Sequence, residues 1–251
     1  MVINLNILLV TAFLFFSGSL AGWLIEVIFR RFFSANNPDR KWINPGFLVG
    51  PYIPLYGFSL VTLFLFSWIP VDFIHNIMLQ KLLLFVFMAL AVTAMEYLAG
   101  ILFIKGMNIK LWDYSNEWGN IRGIICPKFS TYWMILSAIY YFVIHPRVIE
   151  SIYWLAEHLT FSFFVGFFYG VFVIDFAYSM KLLIKIRRFA RENQIELRIE
   201  ELKEYMIRKN ESLKLRVSFM LPLRPTNRDF AEDMKDYLVE HLGKYKREKT
   251  K

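Results

Sequence analysis

The sequence predicts an all-α membrane protein, a polytopic helix bundle of five spans followed by a helical extension. Its 251 residues are 57% hydrophobic and 18% aromatic, which is more apolar surface than a soluble domain of ordinary composition buries. Five stretches reach the roughly 20 apolar residues that a spanning helix needs. They cover residues 3–29, 47–70, 78–104, 127–145 and 151–180. The transmembrane domain is therefore predicted over 1–180.

The first four spans are predicted to form a direct repeat of a two-helix unit. In each copy a glutamate near the end of one span is followed by a tryptophan and then by a start of the next span marked by Gly and Pro. Glu26 and Trp42 belong to the first copy, and Glu96 and Trp112 to the second. The repeat predicts a pseudo-twofold axis along the membrane normal, with the fifth helix unpaired.

The start of the second span contains three prolines and three glycines between Asn44 and Gly57. These residues interrupt a helix, and lipid offers no partners for the backbone groups that an interruption frees. Two interpretations are open at this stage. The segment is either a ligand site at membrane depth or a kink that allows close helix packing.

Lys and Arg are distributed unequally between the short connections, which predicts the orientation of the chain. The connections after the first and third spans contain Arg30, Arg31, Arg40, Lys41, Lys105, Lys110, Arg122 and Lys128. The other two connections contain only Lys81 and Arg147. The N-terminus is therefore predicted to lie outside and the C-terminus in the cytoplasm.

Residues 181–251 are predicted to form a cytoplasmic helical tail. The tail holds 19 of the 29 basic residues and 12 of the 21 acidic ones. The basic excess favours contact with the headgroups of a lipid bilayer, and the acids mixed with it argue against a nucleic-acid partner. One amphipathic helix is expected from Ser179 to about Arg216, and a second from Thr226 or Asn227 to Gly243. Their apolar stripes favour packing within the protein; the alternatives are a face that binds a partner and a surface for self-association in a homo-oligomer.

Three acids lie at one depth, near the predicted cytoplasmic ends of their spans: Glu26, Glu96 and Asp175. Charged groups seldom face lipid because exposure to it costs about 2.5 kcal/mol or more. We therefore predict a polar, cytoplasm-facing chamber between the helices. Its expected counter-charges and hydrogen-bonding groups are Arg30, Arg122, Lys128, Asn44, Asn120, Trp112 and Asp113. The alternative is a set of ion pairs that only join helices.

Known catalytic and cofactor-binding motifs are missing from the sequence. Cys126 is the single cysteine, and the four histidines are dispersed, so no metal site is predicted. Neither a phosphate-binding GxxxxGK[ST] loop nor a Gly-x-Ser-x-Gly motif occurs. We predict no cofactor, and the sequence leans against an enzyme.

Several segments together resemble a family of bacterial membrane proteins, the putative ABC-transporter type IV permeases. The matching segments are Gly22-Trp-Leu-Ile-Glu26, the stretch 44–57, Glu96-Tyr97, Trp112-Asp-Tyr-Ser115, the Asn120/Gly123/Ile125-Cys126 pattern and His145-Pro146. The family usually has an arginine where this chain has Ile124. The resemblance implies a multi-pass protein of the bacterial inner (cytoplasmic) membrane. It also implies a separate ATPase subunit as partner.

Three functions are compatible with these predictions. The first is a permease whose acid-lined chamber binds or transports an ion or a small polar solute. The second is an intramembrane enzyme for lipid or isoprenoid-linked substrates, with Glu26 or Glu96 as base and Arg122 or Lys128 holding phosphate. The third is a structural or regulatory membrane subunit that acts through its tail.

Overall fold

The computed structural model describes residues 7–34, 37, 40–193, 197–212 and 233–240, and this part of the chain is mostly helical, as predicted. The helices are α1 (Ile7–Phe32), α2 (Pro54–Phe66), α3 (Ile77–Met107), α4 (Pro127–Ile139), α5 (His145–Glu157), α6 (Ser162–Glu192), α7 (Ile199–Ser212) and α8 (233–240). Two short strands, β1 (Ile109–Lys110) and β2 (Leu197–Arg198), lie beside the bundle. We call the side at which α1, α3 and α6 end the tail side.

Within the described residues, four helical segments are long and apolar enough to cross a membrane. They are Ile7–Phe32, Ile77–Met107, Pro127–Glu157 and Leu159–Glu192. The predicted second span, 47–70, contains only the 13-residue helix α2. A helix of that length covers about 20 Å, whereas the hydrocarbon core measures about 30 Å. The structure therefore supports four spans and does not confirm five.

The chain before α2, residues 44–53, is not helical and is enclosed by the bundle. Asn44, Leu48 and Tyr52 in this segment are buried. The amide of Ile53 donates to the carbonyl of Ser19, 3.0 Å away near the middle of α1. Irregular backbone is tolerated at membrane depth only when protein or water surrounds it. Protein surrounds it here.

Helices α1 and α2 run antiparallel and pack closely through glycines. Gly22 lies against Tyr56, and Gly18, one turn earlier, lies against Leu60. A Cβ atom added at Gly57 would lie 2.3 Å from Ser19 Oγ and 2.6 Å from the carbonyl oxygen of Phe15. Small residues four positions apart allow two membrane helices to approach in this way.

The turn predicted between the fourth and fifth spans, at 145–151, is wrong. The chain stays helical from Pro127 to Glu157, and the turn falls at Leu159–Phe161. Pro146 cannot donate a backbone hydrogen bond, and its ring disfavours a regular α-helix in the preceding turn. A π-helical segment, Tyr140–Ile144, lies at that point, and the amide of His145 donates to the carbonyl of Tyr140. The wider turn lets the helix continue past the proline.

The continuous helix predicted from Ser179 to about Arg216 is also wrong. Helix α6 ends at Glu192, and β2 separates it from α7. Strand β2 pairs in parallel with β1, with Ile109 opposite Leu197. Helix α8 lies within the second predicted tail helix, whereas the predicted ends, Thr226 or Asn227 and Gly243, are outside the described residues.

The tail packs against the end of the bundle around a shared apolar core. The core combines side chains of α6, α7 and α8 with β1 and β2. Its most buried members are Ile109, Ile186, Ala190, Leu197, Leu202, Met234 and Tyr237. Phe47 and Phe103 of the membrane body pack onto the same core. The tail therefore places charged residues of α7 next to the polar ends of the membrane helices.

Candidate functional site

Arg30 connects two acids on the tail side of the bundle. Its Nε lies 3.1 Å from Oε2 of Glu26, one turn earlier on α1, and its guanidinium lies 2.6 Å from Glu200 on α7. The hydroxyl of Tyr56 on α2 donates to Oε1 of Glu26 over 3.0 Å. Glu26 is therefore balanced by a cation and a hydroxyl, and three helices meet at this ion pair.

Glu96 on α3 has a different environment. Its side chain is 2% exposed, and Oε1 accepts a long hydrogen bond of 3.3 Å from the hydroxyl of Tyr114. The indole of Trp133 interacts with the same carboxyl group, and Glu26 is near enough for electrostatic repulsion. Among the described residues, no donor with hydrogen-bond geometry reaches Oε2, and no Lys or Arg pairs with Glu96.

Two pairs of aromatic rings lie at the Glu96 carboxyl group, one through Trp133 and the other through Tyr114. The rings of Tyr56 and Trp133 lie 4.7 Å apart, and Tyr114 stacks on Phe129 at 4.1 Å with nearly parallel planes. Burial raises the pKa of the Tyr114 hydroxyl well above its usual range, and the nearby Glu96, Glu26 and Glu200 raise it further. Tyr114 therefore remains a neutral donor at physiological pH. We call Glu96 with these four rings the Glu96 site.

Asp175 on α6 binds the non-helical segment before α2. It accepts hydrogen bonds from the amides of Val49 at 3.1 Å and Gly50 at 2.7 Å. The hydroxyls of Tyr52, at 2.5 Å, and Ser179, at 2.9 Å, donate to it as well. A carboxylate with four donors is well satisfied. Asp175 supplies the acceptor that these backbone amides lose when the helix is interrupted.

Asn44 and Lys203 satisfy the carbonyl groups of the same segment. The side-chain amide of Asn44 donates to the carbonyls of Leu48 and Val49, at 3.2 and 2.8 Å, and its Oδ1 accepts from the indole of Trp23. The ammonium group of Lys203 on α7 donates to the carbonyl of Asn44 at 2.9 Å and to that of Gly46. Lys203, a residue of the tail, thus donates the hydrogen bonds that these carbonyl groups of a membrane segment would otherwise lack.

The remaining predicted chamber residues organise the connection between α3 and α4. Arg122 is exposed, and Lys128 pairs with Glu117 at 2.7 Å. Asn120 donates to the carbonyls of Ser115 and Glu117, and Trp112 donates to that of Ile124. Asp113 pairs with Lys110 nearby and with Arg198 in β2. The structure thus brings Glu26, Arg30 and Glu96 together and gives Asp175 separate partners among the described residues.

Five residues of the site were not predicted from the sequence: Tyr56, Phe129, Trp133, Glu200 and Lys203. Tyr56 lies within the Gly/Pro segment that the sequence does mark, so its place in that segment was the available signal. Glu200 and Lys203 lie three apart on one face of α7. No pattern in the tail indicates that this face contacts the membrane body.

Replacing Asp175 by asparagine is expected to lower stability by about 2 kcal/mol. An asparagine offers one acceptor oxygen in place of two and directs an NH₂ group at amides that are themselves donors. The midpoint of thermal unfolding in detergent would measure the loss. Asp72→Asn, at an exposed acid in the turn after α2, is the matched control and should change little. Equal midpoints for the two variants would contradict the role assigned to Asp175.

Docking of α7 is expected to strengthen as the pH rises. Burial and the charge of Arg30 lower the pKa of Lys203 to about 7, with Glu200 opposing the shift. Between about pH 7 and pH 10 the undocked lysine binds a proton that the docked lysine has released. The docked state is therefore least favoured at and below about pH 7 and gains stability above it.

Spin labels on Lys105→Cys and Val239→Cys, two exposed positions on α3 and α8, would follow this docking by distance measurement. The distance distribution should narrow between pH 6.5 and about pH 9. Lys203→Met should remove the pH dependence. A distribution that is independent of pH in the parent protein would contradict the assignment.

The fold and the site together define a helical membrane protein with a buried acidic site close to one face. Comparison with family models gives a match to the putative ABC-transporter type IV family over residues 13–180. The match covers most of the chain, and the protein belongs to this family. It is therefore a membrane protein related to transport, as the resemblance in the sequence implied. Comparisons with curated proteins and with solved structures give no significant match.

Proposed function

We propose that this protein is the membrane-embedded subunit of a transport system, in which Glu96 is the carboxylate that binds a cation or a proton. The tail side faces the cytoplasm in this proposal, with the N-terminus outside the inner membrane. Glu26 is the second acid of the site. Arg30 holds Glu26 in place and links it to the tail.

The main support for the proposal is the burial of the Glu96 carboxyl group without a balancing charge among the described residues. A carboxylate that is 2% exposed, lacks an ion pair with any described residue and has an unpartnered oxygen is costly to keep charged. A proton or a bound cation removes that cost. Intramembrane acids of this kind are typical of ion and proton pathways.

Asp175 is assigned a structural role in this proposal, although the sequence places it at the same depth as the other acids. Its oxygens are occupied by backbone amides and hydroxyls of the segment before α2 and of α6. The proposed chamber is therefore centred on Glu26 and Glu96. The interrupted segment forms its wall, and α7 covers it on the tail side.

A separate ATPase subunit is the partner that the family implies. Its proposed docking surface is the tail side, because the connections there carry exposed aromatic residues, including Trp118 at 85% exposure and Trp42. The same connections are joined to the tail through β1 and β2 and through Asp113 and Arg198. Movement of a docked ATPase would thus be transmitted through these contacts to α7 and, from there, to Arg30.

Charge displacement in proteoliposomes on a solid-supported membrane tests the proposal. Rapid exchange to a solution that contains more protons, Na⁺, K⁺ or tetramethylammonium should produce a transient current as the cation enters the site. Glu96→Gln should reduce this current at least tenfold, since glutamine neither titrates nor binds a cation strongly.

Glu150→Gln is the matched control, because Glu150 is an exposed acid on α5 outside the site. It should leave the current unchanged. Currents of equal size in the parent protein and in Glu96→Gln, or the absence of any current in the parent protein, would contradict the proposal.

A further inference from the structure

We propose that the Glu96 site takes an alkylated organic ammonium ion in preference to an alkali or divalent metal ion. The inference rests on the proposed function, since it names the substrate class of the same site. The inference is based on the carboxyl group of Glu96 and on the rings of Trp133, Tyr56, Tyr114 and Phe129.

The charge of the site favours a cation. Glu96 has an oxygen without a donor among the described residues, and the charged group that acts on it electrostatically is Glu26, also an acid. Glu26 is already paired with Arg30 at 3.1 Å. The unbalanced charge is therefore on Glu96, and one positive charge at its free oxygen would neutralise the site.

The walls of the site suit a cation with an apolar surface. Tyr56 and Trp133 come from α2 and α4 and meet at 4.7 Å, and Trp133 also contacts the Glu96 carboxyl group. Tyr114 and Phe129 form a second, stacked pair at 4.1 Å. Aromatic faces attract ammonium groups through the ring quadrupole, and tryptophan does so best. A carboxylate among several rings is the combination that binds methylated ammonium ions.

The same walls suit a metal ion poorly. Calcium takes six to eight oxygen ligands, and magnesium prefers six in nearly ideal octahedral geometry. The oxygens near Glu96 are its own carboxyl group and phenolic hydroxyls, one of which is already bound to Glu26. Within the described part of the chain, no group of three or more His, Cys, Asp or Glu residues could hold a metal ion.

Tyr114, which belongs to the connection between α3 and α4, contacts the Glu96 carboxyl group. Its hydroxyl covers Oε1 of Glu96 through the 3.3 Å hydrogen bond. A hydrogen bond of this length is weak, so a ligand can displace it. Displacement of Tyr114 would make Oε1 available to the ammonium ion in addition to the unpartnered Oε2.

Protection of Glu96 from dicyclohexylcarbodiimide tests the inference. This apolar reagent modifies carboxyl groups in apolar surroundings, and mass spectrometry of the purified full-length protein would quantify the modified peptide. Tetramethylammonium chloride should protect Glu96 at a concentration at least tenfold lower than sodium or potassium chloride does at the same pH and ionic strength. Trp133→Leu should raise the protecting concentration of tetramethylammonium at least tenfold, whereas Trp68→Leu, at an exposed tryptophan after α2, should not change it.

Thermal unfolding in the presence of each salt is the second measurement, and it applies even where labelling of Glu96 is slow. A rise in the unfolding midpoint specific to tetramethylammonium, and lost in Trp133→Leu, supports the inference. Equal effects of Na⁺, K⁺ and tetramethylammonium overturn it but leave the proposed function standing. A lack of any cation effect that depends on Glu96, in these assays and in charge displacement, overturns both.

Discussion

Arg30→Met is expected to lower the free energy of unfolding by about 3 kcal/mol and to release α7 from the bundle. The substitution keeps a side chain of similar length but leaves Glu26 and Glu200 without their shared cation. Removing one partner of a buried ion pair costs about 3–5 kcal/mol, because the other charge stays buried and unpaired. The lower end applies, since these side chains keep about a fifth of their exposure.

Thermal unfolding and the distance between labels on α3 and α8 would measure the two effects of Arg30→Met. Arg31→Met is the control, because Arg31 is the next residue on α1 and lies over the ring of Trp42 at 5.2 Å without joining the acids. Adding Glu26→Gln and Glu200→Gln to Arg30→Met should recover part of the loss, since no charge is then left unpaired. A triple variant less stable than Arg30→Met alone would refute this account.

Gly57→Ala is expected to destabilise the packing of α1 against α2 by about 3 kcal/mol. The added methyl group would overlap the hydroxyl of Ser19 and the backbone carbonyl of Phe15. A backbone carbonyl cannot rotate away as a side chain can, so the two helices must separate. That separation also displaces Tyr56 from Glu26, and charge displacement should fall together with stability.

Gly166→Ala provides the matched control for Gly57→Ala. Gly166 lies in α6, and a Cβ atom added there would meet nothing within 4 Å. Alanine is a better helix former than glycine, so the unfolding midpoint should stay unchanged or rise slightly. Equal losses at the two glycines would show that helix contact at Gly57 is not the cause.

The sequence predicts the helical class and most of the spans, because long apolar runs leave few alternatives. The prediction from sequence fails where another part of the chain offsets the effect of a local signal. Pro146 indicates a turn, but the π-helical segment before it preserves the helix. The span predicted at 47–70 has the right composition, yet Val49 and Gly50 near its start bind Asp175 instead of continuing a helix. The amino-acid composition of a segment does not indicate hydrogen-bond partners that are distant in the sequence.

The candidate site was predictable in part for a similar reason. Glu26 and Glu96 stand out because acids are rare in apolar spans, and Arg30 is one helical turn from Glu26. Phe129 and Trp133 do not stand out, since aromatic residues are frequent throughout this chain. Glu200 reaches Arg30 only because the tail folds back through β2. Tertiary folding, which no local pattern encodes, creates this contact.

The parallel pairing of β1 with β2 has a consequence for biosynthesis. Ile109 emerges from the ribosome long before Leu197, its partner in the register. During that interval α4 to α6 are inserted while the connection after α3 lacks its strand neighbour, and Asp113 lacks Arg198. The tail can therefore complete this connection only after α4 to α6 have been synthesised.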